Sequence, residues 1–200
     1  MDMSEQDFIT NYCQESVEAL ASFVEKGAGR QSVLAFADVI ASAMASSHKL
    51  LIAGNGGSAG DAQHIAGEFV SHLFFDHAPL PAIALTTDTS VLTAVSNDYG
   101  YERVFERQVL GLGVKGDVFL GISTSGKSLN VLRALEAARS RGIVTLGFAG
   151  ANPGPMGDLC DHILCAPSPK TAIIQQIHMV SAHLICGLVE RRIFNSDVKG

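Results

Sequence analysis

Two ionisable side chains, His64 and Glu68, stand four positions apart in a segment with helical periodicity. Residues at i and i+4 share one face of a helix, about one turn apart. A histidine and a carboxylate so placed can hold one metal ion or divide acid–base work. A surface ion pair is the alternative interpretation. The neighbours Ile65 and Phe69 favour a partly buried face, where a carboxylate needs a partner.

A second group of polar side chains interrupts the apolar C-terminal segment and comprises Gln175, Gln176, His178 and His183. Gln175 and His183 are eight positions apart, which is about 80° around an ideal helix and about 12 Å along its axis. That is a long reach for two ligands of one metal. A bent helix, a Gln175 that precedes the first regular turn, and ligands from different subunits all remain open. Buried, hydrogen-bonded histidines are the alternative to catalytic ones.

Two loops rich in glycine and hydroxyl groups each follow a predicted strand and precede a predicted helix. They are Gly54-Asn55-Gly56-Gly57-Ser58 and Ser123-Thr124-Ser125-Gly126-Lys127-Ser128. Hydroxyl groups and backbone N–H groups at a helix N-terminus suit a phosphate monoester. The first loop matches neither the dinucleotide nor the P-loop pattern, so neither a dinucleotide nor a nucleoside triphosphate is indicated. An ordinary tight turn and an ordinary N-cap are the alternatives.

Short apolar runs alternate with amphipathic segments along most of the chain. The runs predict strands at 50–53, 81–85, 117–122, 143–148 and 162–166, and the periodicity predicts helices at 4–27, 32–45, from the first loop to about 73, at 128–141 and at 171–194. This order predicts an α/β fold, a doubly wound five-stranded parallel sheet flanked by helices, with an N-terminal helical layer. We expect one domain over 1–200, with N-terminal helices in 1–46 and the core and C-terminal helix in 49–193.

Bulk composition narrows the function classes. The 200 residues carry a net charge of −6 without a basic cluster, which argues against nucleic-acid binding. We expect no signal peptide after MDMSEQDF, no run of about 20 apolar residues that would span a membrane, and a cytoplasmic protein whose four scattered cysteines are buried and reduced. With only 17% charged residues, some apolar surface is expected to be buried between subunits.

Several motifs together carry a family resemblance over residues 5–193. They are GNGGS (54–58), DAQHIAGEF (61–69), SNDYGY (96–101), GISTSGKS (121–128) and IQQIHMVSAHLICGLVE (174–190). GISTSGKS resembles the sugar-phosphate loop of the SIS (sugar isomerase) domain, and the whole set resembles the phosphoheptose isomerase family. Each motif alone is unspecific, but their combination and order are specific.

The resemblance implies the SIS fold and a set of site residues. It implies a zinc ion near His64, Glu68, Gln175 and His183, with Glu68 and His183 as the catalytic pair. The implied substrate contacts are Asn55, Gly56, Gly57, Ser58, Glu68, Asn97, Asp98, Ser123, Thr124, Ser125, Ser128 and Gln175. It also implies a homotetramer with active sites at the subunit interfaces.

The activity that the resemblance implies is an aldose–ketose isomerisation. It would convert sedoheptulose 7-phosphate to D-glycero-D-manno-heptose 7-phosphate through an enediolate, for bacterial heptose in lipopolysaccharide or capsule. Ile173 and Gln176 stand where many relatives have Arg and Glu, which bears on substrate preference more than on reaction type. The alternatives are a non-catalytic SIS protein, which binds a replication-initiation factor or senses a sugar phosphate, and a hexose or pentose phosphate isomerase. The retained His64 and Glu68 favour the heptose isomerase.

Overall fold

The computed structural model describes residues 3–25 and 28–194. The helices are α1 (Glu5–Glu25), α2 (Ala28–Ala45), α3 (Gly57–Val70), α4 (Thr89–Tyr99), α5 (Val104–Leu112), α6 (Leu129–Ser140) and α7 (Thr171–Phe194), and the strands are β1 (Leu50–Gly54), β2 (Ala82–Ala84), β3 (Val118–Ser123), β4 (Val144–Ala149) and β5 (His162–Cys165). The Ser4 hydroxyl accepts the Asp7 N–H at 3.1 Å and so caps α1 as predicted. Gly27, the predicted end of α1, lies outside the described residues.

The five strands form one parallel sheet in the order β2-β1-β3-β4-β5, which confirms the predicted architecture. Leu50 is in register with Val118 of β3, and Val118 with Val144 of β4. The chain leaves β1 toward β2 on one side and returns to β3 on the other. The loops after β1 and β3 therefore leave neighbouring strand ends at the topological switch point, where α/β sheets bind ligands.

Both faces of the sheet are covered, because alternate strand residues point to opposite sides. Leu50 and Ile52 pack into a core with α1, α2, α3 and α7, whereas Leu51 and Ala53 pack into a second core with α4, α5 and α6. All four side chains are fully buried. Full burial of a leucine or isoleucine contributes roughly 1.5–3 kcal/mol, so these runs of apolar residues fix the sheet in the centre of the molecule.

Two short helices, α4 and α5, were not predicted between the second and third strands. The Asp88 carboxylate caps α4 by accepting the Val91 N–H at 3.0 Å. Val95 is the one buried residue of α4, and only Val91 and Leu92 pack partly buried beside it against the second core, so the apolar stripe of this helix is short. Helix α5 buries Val104, Phe105 and Val109. Its nine residues are too short a stretch for a helical period to stand out in the sequence.

Helix α7 runs through the first core with 11 buried residues. By length and composition alone it could cross a membrane, although more than half of its most apolar window is buried inside the protein. A core helix of a globular protein passes the same test. Of the four free cysteines, Cys186 is buried, Cys160 and Cys165 are partly buried and Cys13 is exposed, which corrects the expectation that all four are buried. Desolvation raises the pKa of the Cys160 thiol to about 12.

Candidate active site

Three ionisable side chains from two helices meet at the seam between α3 and α7, about two turns from the loop at which α3 begins. His64 and Glu68 project from α3 and His183 from α7, two helices that pack against each other. His64 Nε2 lies 2.9 Å from His183 Nε2 and 3.2 Å from Glu68 Oε1. The i,i+4 pair predicted from the sequence is thus joined by a histidine from 119 positions further along the chain.

The donor set of this cluster fits a zinc ion. The ligand atoms of His64, Glu68 and His183 all lie within 4.8 Å of one another. Two imidazole nitrogens and one carboxylate oxygen are ligands that zinc prefers, and three protein ligands leave a position for a substrate oxygen. The two Nε2 atoms face each other, so without a cation one must donate and the other accept. A bound cation could instead accept the lone pairs of both Nε2 atoms.

Gln175 lies elsewhere along the same helix seam. A Cβ added to Gly57 would collide with the Gln175 amide nitrogen, so this amide packs against the first residue of α3. Gly57 and His64 are seven residues apart, which is about 10 Å along a helix axis. Gln175 is inside the regular helix α7, so it does not precede the first turn. Its role as a fourth metal ligand stays a prediction.

The other histidine of α7, His178, is structural. Its ring is fully buried, and Nε2 donates to the Ala149 carbonyl at 3.0 Å. Burial lowers the pKa of His178 to about 4, against the opposing effect of that hydrogen bond. The neutral His178 ring therefore anchors the end of β4 through this hydrogen bond, whereas His183 is the histidine of α7 that belongs to the cluster.

Asn55, in the first loop, is held by a network of side-chain hydrogen bonds. The Asn55 and Asn130 amides exchange two bonds, of 2.9 Å and 2.8 Å. The Tyr101 hydroxyl also donates to Asn55 Oδ1 at 3.0 Å. These contacts join the loop after β1 to the first turn of α6 and to the segment that follows α4.

The second loop forms a tight turn at the start of α6. The Ser123 and Ser128 hydroxyl oxygens are 2.9 Å apart, and the Lys127 N–H donates to Ser125 Oγ at 3.2 Å. Gly126 has a φ of +65°, and a Cβ there would collide with the Pro153 carbonyl, so only glycine fits. A cavity of about 330 Å³ opens beside this turn, lined in part by Thr124, Ser125 and Lys127.

The remaining predicted contacts are placed less uniformly. Gly56 and Gly57 are exposed at the start of α3, whereas Ser58 is buried with its side chain near Gly54. Asn97 and Asp98 are exposed near the end of α4, where Asn97 donates to Asp98 at 2.7 Å. The contacts of all these residues with a substrate stay predictions.

Comparison with known proteins agrees with this geometry. A family model described as SIS domain matches residues 11–150. The phosphoheptose isomerase of Burkholderia pseudomallei (strain 1710b) is 50% identical over 197 residues, which are 98% of this chain and 100% of that relative. The chain belongs to the phosphoheptose isomerase family of SIS domain proteins.

Two solved phosphoheptose isomerase structures extend that family match to the fold. The structure from Neisseria gonorrhoeae superposes with a TM-score of 0.88 at 37% identity, covering 94% of this chain and 99% of the other. The structure from Francisella tularensis gives 0.91 at 33% identity, covering 94% and 100%. The predicted family and fold are therefore confirmed.

Three residues near this phosphoheptose isomerase-type site were not predicted. Tyr101 and Asn130 hold Asn55, and Asp61 lies one turn before His64 on α3. In the part of the chain that the structure describes, Asp61 Oδ2 is buried and has no hydrogen-bond partner. Burial raises the pKa of the Asp61 carboxyl, and the nearby His64 partly opposes that rise. Its i,i+3 spacing from His64 was the one signal in the sequence that could have revealed it.

Proposed function

We propose that the protein is an aldose–ketose isomerase that interconverts sedoheptulose 7-phosphate and D-glycero-D-manno-heptose 7-phosphate. The observation that carries the proposal is the cluster of His64, Glu68 and His183 in a phosphoheptose isomerase-family chain, where His64 and Glu68 stand on the helix that begins at the first switch-point loop. A protein that only binds a partner or senses a sugar phosphate has no chemical use for such a cluster. The product would supply heptose for bacterial lipopolysaccharide or capsule.

In this proposal the phosphate end of the substrate binds the second loop. Thr124 and Ser125 supply hydroxyl groups to the cavity at the start of α6, and the paired hydroxyls of Ser123 and Ser128 belong to the same turn, at a helix N-terminus that favours an anion. Binding energy at this non-reacting end orients the distant C1–C2 end. The first loop, through Asn55, Gly56 and Gly57, and the pair Asn97 and Asp98 bind sugar hydroxyl groups, while Gln175 and Ser58 complete the contacts.

Isomerisation moves one hydrogen between C1 and C2 and another between O1 and O2. Glu68 removes the proton from one carbon, which leaves an enediolate, and returns it to the other carbon. Glu68 Oε1 lies 3.2 Å from His64 Nε2 and so faces the metal-binding side of the cluster; in the proposal Oε2 carries the proton. His183 moves the proton between the two oxygens. A zinc ion held by His64, Glu68 and His183, with Gln175 supplied by another subunit of the proposed tetramer, would provide a Lewis acid that polarises the carbonyl.

The proposal includes a cytoplasmic homotetramer of single SIS domains spanning 1–200, with active sites at the interfaces. One observation supports the assembly. Exposed apolar side chains of α1, α2 and α7 line a groove of about 330 Å³, among them Leu20, Val24, Leu34, Val180 and Leu184. A contiguous apolar surface of this kind is typical of a subunit contact.

The test is turnover of sedoheptulose 7-phosphate by the purified protein, before and after chelation, with metal content measured on the same sample. We expect turnover that is lost on chelation and restored by zinc. Glu68→Gln should abolish turnover and leave substrate binding intact, whereas Glu136→Gln, an exposed change on α6, should alter neither. A folded wild-type protein without turnover would contradict the proposal and favour the non-catalytic alternative.

A further inference from the structure

We propose that Asn130, which has no assigned role, is a positioning residue that fixes which end of the Asn55 amide faces the substrate. The inference rests on the proposed function, in which Asn55 contacts the sugar. Asn130 is 4% exposed in the first turn of α6, and Asn55 is half-buried in the loop after β1. Asn130 is therefore buried below the protein surface that meets the substrate, and it acts on the substrate through Asn55.

The orientation of the Asn130 amide follows from a backbone group. The Val131 N–H lies 3.0 Å from Asn130 Oδ1, and a backbone N–H can only donate. The atom that it meets must therefore be the side-chain oxygen of Asn130. The nitrogen of the same amide must then be the atom that donates to Asn55 at 2.8 Å.

The orientation of Asn55 follows in turn. Since Asn130 Nδ2 donates, the Asn55 atom that it meets is Oδ1, and the Tyr101 hydroxyl donates to the same oxygen at 3.0 Å. Asn55 Nδ2 uses one hydrogen on Asn130 Oδ1 at 2.9 Å. An amide nitrogen carries two hydrogens, so one N–H remains for a ligand. Asn55 thus offers a donor to a substrate oxygen.

A rotated Asn55 amide would present a lone pair in place of that N–H. A sugar oxygen that only accepts, such as the carbonyl oxygen of the open-chain form, would then face an oxygen. The Val131 N–H also donates to the Ser128 carbonyl at 3.0 Å, so the cost of the wrong orientation lies in its clashes: it sets N–H against N–H and oxygen against oxygen along Val131, Asn130 and Asn55. The network therefore determines which substrate oxygens the first loop accepts.

Asn130→Asp is the informative variant. The carboxylate has nearly the same shape and still accepts the Val131 N–H, but it cannot donate to Asn55. The Asn55 amide then rotates so that its N–H groups face the new carboxylate and its oxygen faces the substrate. We expect KM for sedoheptulose 7-phosphate to rise about tenfold, the loss typical of one hydrogen bond near a polar ligand. Tyr101→Phe should raise KM by a smaller factor, because Asn130 still holds Asn55.

A double-mutant cycle separates positioning from general destabilisation. Asn55→Ala should raise KM about tenfold, and Asn55→Ala with Asn130→Asp should be no worse than Asn55→Ala alone, because Asn130 acts through Asn55. The matched control is Leu135→Ala, which opens a cavity at a fully buried side chain of the same helix, α6, outside the Asn130 network. It should lower the melting temperature and leave KM unchanged.

Independent, multiplicative losses in the double variant would overturn the proposal, and so would an unchanged KM in Asn130→Asp. An equal rise of KM in Leu135→Ala would assign the effect to stability and would also overturn it. A wild type without turnover contradicts the proposed function instead. In that case the same cycle is measured by calorimetric binding of sedoheptulose 7-phosphate, with the same tenfold expectation for Kd and the same contrary outcomes.

Discussion

Buried His178 should make the stability of the protein depend on pH in a defined window. Its Nε2 donates to the Ala149 carbonyl, its buried Nδ1 has no hydrogen-bond partner within residues 3–25 and 28–194, and its ring centroid lies 5.2 Å from that of Phe148. Protonation would place a charge and an unpaired N–H in this apolar setting. Burial therefore lowers the pKa of His178 to about 4 from the ordinary value of 6.5.

The sign and size of the effect follow from linkage. Because the folded pKa is below the unfolded one, the unfolded chain takes up the proton first as the pH falls. The stabilising contribution of neutral His178 is complete above pH 6.5 and is lost progressively as the pH falls to 4. With these two pKa values, the loss at pH 5 relative to pH 7.5 is about 2 kcal/mol of unfolding free energy.

Urea denaturation of the wild type and of His178→Gln, at pH 7.5 and pH 5, measures this loss. Glutamine can still donate to the Ala149 carbonyl but does not titrate. The two proteins share every other ionisable group, and a chelator with a fixed protein concentration removes differences in metal binding and assembly. We expect the wild type to lose about 2 kcal/mol more than the variant. Equal losses would refute the assignment of a buried, neutral His178.

Three further predictions concern particular side chains. Gly57→Ala should displace the Gln175 amide and lower kcat/KM. The matched change Gly60→Ala, where a Cβ meets open space, should raise helix stability by about 1 kcal/mol and leave kcat/KM unchanged. Equal kcat/KM values for the two variants would contradict the Gln175 contact. Glu190→Gln should cost about 3 kcal/mol in urea denaturation, since this buried carboxylate accepts two backbone N–H groups and pairs with an imidazole; a change within error would show that the pairing contributes little. Ser125→Ala should raise KM about tenfold with kcat near wild type, and an unchanged KM would exclude the loop from phosphate binding.

The sheet was predictable because its strands are buried on both faces. Runs such as Leu50 to Ala53 contain only apolar residues, and a parallel strand between two helical layers requires this. The long helices α1 and α7 were predictable from their length. Helices α4 and α5 were not, because α4 buries little more than Val95 and rests on its cap at Asp88. A helix that is stabilised by its ends leaves no periodic signal.

The candidate site likewise has one part that the sequence predicts and another that it does not. The pairing of His64 with Glu68 is local, so helix geometry alone predicts it. The approach of His183 depends on how α7 packs against α3, and spacing within α7 could not reveal it; only the family resemblance did. Asn130 meets Asn55 across 75 positions and lies among helix residues with no distinguishing pattern. Its role depends on hydrogen-bond partners, which a single sequence does not specify.

The seam between α3 and α7 explains the spacing in the last helix that at first argued against a shared site. Gln175 meets α3 at Gly57, and His183 meets it at His64, so equivalent steps along the two helices bring successive contacts together. Seven residues of α3 and eight of α7 span about 10 Å and 12 Å, nearly the same length. The helices therefore run side by side in the same direction. A shift of α7 by one turn would break both contacts at once, so the packing of Gln175 against Gly57 and the approach of His183 to His64 belong to one register of the two helices.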